Sequence, residues 1–211
     1  MRMLRILATL AAGLALAFAG LSAWAQDAPD AIIKRAVDEV TTAIKADREI
    51  QAGNRHKINH LVDTKIVPYV NFQRMTQSAV GRHWSRASAE QQQALTREFK
   101  GLLTNTYAGA FSTYKSDTVI EYKPFRLQPG EGDAVVRSLV KPGGSGEPIQ
   151  LDYYLERFDG AWKVVDLNVL GARLVETYKN QFNSEIAANG IDGLIKALAS
   201  KNKTIEARSK S

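Results

Sequence analysis

The 211-residue chain contains no cysteine. Disulfides and thiolate metal sites are therefore excluded, and so is the lipid-modified cysteine of a lipoprotein anchor. It has only three histidines, His56, His60 and His83. There is no G-x-S-x-G elbow, no H-E-x-x-H helix and no Gly-rich phosphate loop, so the common signatures of nucleophilic, metal-assisted and phosphoryl chemistry are missing. Beyond residue 25 no stretch approaches the ~20 consecutive apolar residues of a membrane span. No basic stripe interleaved with aromatics marks a nucleic-acid surface. No internal repeat is visible.

The first 25 residues have the grammar of a secretory signal peptide. Arg2 and Arg5 form a basic start, Ile6 to Leu21 an apolar run, and Ala23-Trp24-Ala25 a cleavage site before Gln26. Cleavage after Ala25 leaves 211 − 25 = 186 residues, expected as a soluble exported protein, periplasmic in a cell with two membranes. That length can bury a core without disulfide staples. Removing Arg2 and Arg5 lowers the formal charge from +6 to +4. Lys196, Lys201, Lys203, Arg208 and Lys210 put part of the excess near the end. The plain reading is a solvated basic surface. The sharper one is a surface that approaches anionic lipid headgroups or an acidic partner.

Hydrophobic periodicity predicts helices first. Ile33, Ala36, Val37, Val40 and Ile44 make one stripe over residues 27–50, and Ile58, Leu61, Val62 and Ile66 a second over 54–67, ended by Pro68. A short helix covers 72–80 and stops at Gly81. Ser88 and Gln91 have capping-box spacing and open a long helix reaching Tyr114. The period then changes to two. Strands are expected at 119–127, with Pro124 limiting the first to an edge, and at 133–140. Two more flank Asp159-Gly160, a dipeptide suited to a type I′ hairpin turn. In that hairpin Leu151, Tyr153 and Leu155 share one face. Val165, Leu167 and Val169 are expected to alternate with Trp162 and Val164, making both faces substantially apolar. After Gly171 a helical pattern begins directly. Ile191, Leu194, Ile195 and Leu198 suggest a last short helix, followed by a frayed tail.

The sum is an α+β domain: an antiparallel sheet of about four strands covered by long helices. The expected division is a leader at 1–25, one domain at 26–200 and a disordered tail at 201–211. Within the domain the helical part is 26–116 and the sheet with its closing helices is 117–200.

Chemistry-bearing clusters are sparse. His56, His60 and Asp63 share a helical face, but no fourth ligand accompanies them; a solvated polar face is the preferred reading, and no metal site is assigned. His83 reads as ordering a turn. Asp152, Asp166 and Glu156 on strands could act as acid or base; the simpler reading pairs them with Arg137 or Arg157. The apolar inventory is more informative and by pattern alone reads as core.

Several short motifs together resemble the MlaC family, also called the toluene-tolerance family. They are Pro68-Tyr69-Val70, Gly81-Arg82-His83-Trp84, the helix start Ser88 to Phe99 (SAEQQQALTREF), Trp162-Lys163-Val164-Val165-Asp166, Gly171 with its following helix, and Gly190-Ile191-Asp192-Gly193-Leu194. Their order and spacing fit from about Ile32 to Leu198. Two positions depart from the family pattern. Ala172-Arg173 stands where a β-branched residue and Ser are common, and Asn71 where Asp is often found.

The resemblance implies a curved sheet of the nuclear-transport-factor-two-like cone type, with an added N-terminal helical lobe. It implies a periplasmic, non-enzymatic carrier of diacyl glycerophospholipid without cofactor. Its partners would be an inner-membrane ATP-driven lipid transporter complex and an outer-membrane lipoprotein–porin complex, and its role the maintenance of outer-membrane lipid asymmetry. The expected lipid contacts are Tyr69, Val70, Met75, Leu103, Tyr107, Phe111, Tyr153, Val164, Val169 and Leu174, with Arg82 and Arg173 near the mouth. The alternative is a cone-fold isomerase or hydrolase using a pocket Asp or His, for which Asp166 and His83 are candidates. The physics suits a carrier. Exposing a chain of roughly 16 carbons costs on the order of 12 kcal/mol, about nine decades in partition. A carrier needs an apolar enclosure and no catalytic group.

Overall fold

A computed structural model describes residues 27–128, 130–143 and 146–208. The expected leader at 1–25 and residues 209–211 of the expected tail lie outside these.

Asp159 and Gly160 both have positive φ, 46° and 84°, as a type I′ turn requires. They join β3 (Ile149–Phe158) to β4 (Ala161–Val169). β2 (Asp133–Lys141) and β1 (Val119–Tyr122) extend the antiparallel meander on one side. A two-residue β5 (Ala172–Arg173) closes the other side, giving the order β1-β2-β3-β4-β5. Among the described residues the sheet therefore has five strands, one more than the pattern suggests. The fifth exists because Leu170 and Gly171 form a second two-residue turn, φ 53° and 88°, folding Ala172 back onto Val169. β1 stops two residues before Pro124, which cannot donate to a ladder; Phe125 and Leu127 still pack on the sheet core.

The expected alternation along β4 is corrected by a β-bulge. Tyr154 pairs with Asp166 but Leu155 pairs with Val164, so Val165 is an extra residue without a direct partner. One inserted residue reverses the facing of everything after it. Trp162 and Val164 before the bulge thus share a face with Leu167 and Val169 after it. The same face carries Ala134, Val136, Leu151, Tyr153 and Leu155. The sheet has one apolar face and one mixed outer face, rather than two apolar ones.

The helices differ from the pattern mainly at their breaks. The first stripe divides into α1 (Pro29–Ala46) and α2 (Arg48–Gln51). Asp47 between them is extended, and its carboxylate accepts from the N–H groups of Glu49 and Ile50, capping α2. α3 (Arg55–Leu61) widens into a π turn over Val62–Ile66 and tightens into a 3₁₀ turn over Val67–Tyr69. α4 is Phe72–Val80. α5 (Ala89–Tyr107) opens on the expected capping box: Gln91 N–H donates to Ser88 Oγ at 3.2 Å, and Ser88 N–H to Gln91 Oε1 at 3.0 Å. The stripe to Tyr114 is interrupted at Ala108, next to Gly109, and resumes as α6 (Gly109–Thr113); glycine is a poor helix former.

α7 (Leu174–Arg208) bends at Gly190, φ 71°. It continues to Arg208 where a frayed segment from Lys201 was expected. The reason is Asn202, which is buried. Its Nδ2 donates to the Glu98 carbonyl oxygen at 2.9 Å and to Glu98 Oε2 at 3.1 Å. Gly101 permits this approach, since a Cβ there would lie 3.1 Å from Asn202 Nδ2.

Three apolar clusters result. In the helical one Phe99 meets Tyr178 and Phe182 edge-on, with ring centroids 5.1 Å apart in each pair; Met75, Leu95, Leu103, Leu174 and Leu194 surround them. In the sheet cluster Ile33 of α1 covers Val136, Tyr153, Leu155, Trp162 and Val164. A third, smaller cluster joins Ile44, Ile50, Ile58 and Leu61.

Candidate functional site

The apolar face of the sheet is covered by different helices at its two sides. α1 packs at β2, whereas α4 and α7 pack at β4. Between the sheet cluster and the helical cluster runs a seam, and among the described residues the partly buried Val70 and Leu167 pack against both. Val70 is held there by backbone geometry. It forms a parallel bridge with Val164, and Asn71 N–H donates to the Val164 carbonyl at 2.9 Å. Lys163 Nζ then donates to the Pro68 carbonyl at 2.6 Å. Asn71 also caps α4 by accepting from Arg74 N–H at 2.9 Å, a task Asn performs as well as Asp. Arg74 reaches across to Glu156 with two bonds of 2.7 and 3.0 Å, so α4 is tied to β3. That pair replaces the expected partner of Glu156, since Arg157 lies instead 4.7 Å from the Trp162 ring centroid.

Of the residues expected to contact lipid, seven border the seam. Met75, Leu103 and Leu174 are buried on the helical side, with Val169 packed against them. Tyr153 and Val164 are buried on the sheet side, and Val70 spans both. The other five lie elsewhere. Tyr69 donates its hydroxyl to Glu39 Oε1 of α1 at 2.7 Å. Phe111 packs on the third cluster. Tyr107 and Arg82 are exposed. Arg173 is on the outer face of the sheet, its guanidinium carbon 4.1 Å from the centre of the Tyr154 ring.

A groove of about 740 Å³ opens beside the seam, a size typical of small-molecule sites. Val67, Pro68, Val70 and Phe72 form one wall, α5 from Ala89 to Lys100 the other, and Phe158 and Lys163 the end. Its cations are Arg97, Lys100 and Lys163, and among the described residues no carboxylate lines it. Because Val70 both lines the groove and packs on the two clusters, that wall of the groove meets the seam. Sequence reasoning missed Phe158 and Lys163 here. Their only signal was position, flanking the hairpin turn that β3 and β4 share. A second cleft of about 400 Å³ lies between α5 and the end of α7. Its lining residues are mostly polar, and it belongs to the network that joins Glu98, Asn105 and Asn202.

The hydroxyls on the apolar face are neutral. Burial pushes the Tyr122 phenol up to about 12, and burial raises Tyr153 as well. The acids stand on the opposite face. Asp166 is 2% exposed. Its Oδ1 accepts from the N–H groups of Leu167 at 2.8 Å and Val175 at 3.0 Å, and its Oδ2 from Arg173 Nε at 2.8 Å. It thereby anchors the first turn of α7 to β4. Asp152 is buried, between Arg137 and Asn168 in register, and accepts from Gln150 Nε2 at 3.0 Å. Asp63 pairs with Lys100 at 2.7 Å. His83 is next to Arg82, whose Nε donates to its Nε2 at 3.5 Å. Among the described residues no helix is long and apolar enough to cross a membrane.

Comparison with known proteins adds the following. The family model described as MlaC protein matches residues 34–200. The toluene tolerance protein ttg2D of Pseudomonas putida is 27% identical over 169 residues, 80% of this chain and 77% of that protein. The intermembrane phospholipid transport system binding protein MlaC of Haemophilus influenzae is 23% identical over 176 residues, 82% of each. A solved structure of a phospholipid-binding protein from Ralstonia solanacearum, in complex with a phospholipid, superposes with a TM-score of 0.79. It is 45% identical and covers 84% of this chain and 98% of that one.

Proposed function

The chain belongs to the MlaC family, and from that premise we propose that it carries phospholipid, holding the acyl chains in the seam between its sheet and its helices. The observation that supports this most directly is the seam itself. One continuous apolar sheet face is covered by two separate sets of helices, and an open groove without carboxylates meets the junction. An acyl chain needs such a surface and little else, because its binding energy comes from area removed from water. Val70, Met75, Leu103, Tyr153, Val164, Val169 and Leu174 are the contacts. The phospholipid bound to the Ralstonia solanacearum relative supports the same class of ligand.

In this reading the single domain at 26–200 is exported through its leader and works in the periplasm. It passes lipid between an outer-membrane lipoprotein–porin complex and an inner-membrane ATP-driven transporter, and so maintains outer-membrane lipid asymmetry. No catalytic step is required. Asp166, the candidate acid or base of an enzyme, already has both oxygens engaged in holding β4, Arg173 and α7 together.

Native mass spectrometry of the purified exported protein tests the proposal, followed by solvent extraction of the bound species. A diacyl phospholipid at near-unit stoichiometry is expected. A protein that stays at its bare mass after incubation with vesicles of phosphatidylethanolamine and phosphatidylglycerol would overturn it.

A further inference from the structure

The two turns that flank β4 have matching positive φ angles and different residues. At one end Asp159-Gly160 places an aspartate at φ 46°, an ordinary occupant of that conformation. At the other, Leu170-Gly171 places a leucine at φ 53°. The left-handed region favours Gly, Asn and Asp, and a bulky leucine there is strained. The strain secures no packing, because Leu170 is 67% exposed. The bond from its N–H to the Gln150 carbonyl at 3.0 Å is available to any residue except proline. A strained side chain that the fold does not use points to a use outside the fold.

The surroundings indicate what it meets. Ile149, one position from Gln150 on the neighbouring strand, is also exposed. Arg173, three residues on, keeps 44% of its side chain in solvent while bonded to Asp166. Two apolar side chains and a cation are far short of the roughly 20–30 residues per side of a stable protein interface. They suffice for a tip whose apolar end enters the headgroup layer of a bilayer, with Arg173, paired to Asp166, behind it. The formal charge is positive, +6 over the chain and +4 without Arg2 and Arg5, which favours an anionic surface. The turn also lies between Val169 and Leu174, both packed into the helical side of the seam. Its tip therefore stands at the rim of the proposed acyl site.

We propose that the Leu170-Gly171 turn is a membrane wedge: Leu170 and Ile149 enter an anionic bilayer surface transiently, while lipid moves between that surface and the seam. This rests on the carrier reading above.

The test is L170N in the full exported protein. Asparagine suits the backbone and removes the apolar tip. Three quantities are measured: thermal midpoint, bound phospholipid by native mass spectrometry, and uptake of a pyrene-labelled phosphatidylglycerol from phosphatidylglycerol-rich vesicles. The expected result is a raised midpoint, unchanged cargo, and uptake slowed about tenfold, the order of losing one partly buried leucine. A second variant, L170W, reports contact directly. The tryptophans of the described domain, Trp84 and Trp162, are both buried, so quenching of an exposed one by brominated phosphatidylglycerol vesicles is expected. Uptake by L170N at the wild-type rate, or an unquenched L170W, overturns the wedge while lipid-loaded protein still upholds the carrier. Protein that never holds phospholipid overturns both.

Discussion

Replacing Asp166 by alanine should unfold the protein much more readily, for reasons that can be added up. The carboxylate is 2% exposed and accepts three bonds. Two come from backbone N–H groups, of which the bond from Val175 is buried and that from Leu167 partly so. Leaving a buried donor without an acceptor costs about 1–3 kcal/mol. The third comes from Arg173, whose side chain is 44% exposed, so solvent screening limits it to about 1 kcal/mol or less. The sum is about 4 kcal/mol. With a urea slope of ~2 kcal/mol per molar, the midpoint should fall by about 2 M. Asp166→Asn keeps one oxygen for the two N–H groups and should lose about half as much. Urea unfolding followed by circular dichroism reads both. A midpoint within 0.5 M of wild type for the alanine variant, roughly 1 kcal/mol at that slope, would show that α7 is not held by this residue. The account of Asp166 as an anchor would then fail.

Three further outcomes are expected. Val169→Asp places a charge on a half-buried seam position and should give a folded protein stripped of phospholipid; wild-type lipid content in a folded variant would remove Val169 from the site. Gly101→Ala gains about 1 kcal/mol of helix propensity. Its Cβ would sit 3.1 Å from Asn202 Nδ2, and displacing that buried amide from Glu98 costs about 2 kcal/mol. The net loss of about 1 kcal/mol should lower the thermal midpoint by a few degrees, and an increase would show that the two helices separate freely. Burial raises the Tyr122 phenol from 10.0 to about 12. A raised folded pKa gives stability that is complete below the unfolded value and is lost as pH rises through that window. Unfolding between pH 10 and 12 should therefore accompany phenolate formation and be weaker in Tyr122→Phe; titration of all tyrosines without unfolding would contradict it.

Much of the fold is legible in local residue chemistry. The capping box at Ser88, the hairpin at Asp159-Gly160 and the stop at Gly81 are each set by one or two residues with few alternatives. What pattern reading misses depends on partners distant in sequence. The last turns of α7 look like a solvated tail until Gly101 of α5 brings Asn202 against Glu98. β5 is invisible because leucine is not a turn residue, and only the pairing of Ala172 with Val169 reveals the turn. Tyr69 is one of the lipid contacts the resemblance implies, yet the 3₁₀ turn sends its hydroxyl to α1.

The β4 bulge decides more than any of these. Without Val165 as an extra residue, strict alternation would set Trp162, Val164 and Asp166 on one face and the apolar residues after them on the other. Asp166 would then share a face with Val164, the arrangement a pocket acid needs. With the bulge, Trp162, Val164, Leu167 and Val169 line one face, and Asp166 crosses to the face of Tyr154. The single insertion thus keeps the seam apolar and also delivers the carboxylate to the start of α7, where Val175 and Arg173 await an acceptor. A buried carboxylate in an acyl site would be costly. The same group at a helix start is stabilising. The polar residues of β4 therefore serve architecture, and the seam is left to the apolar surface that a lipid chain requires.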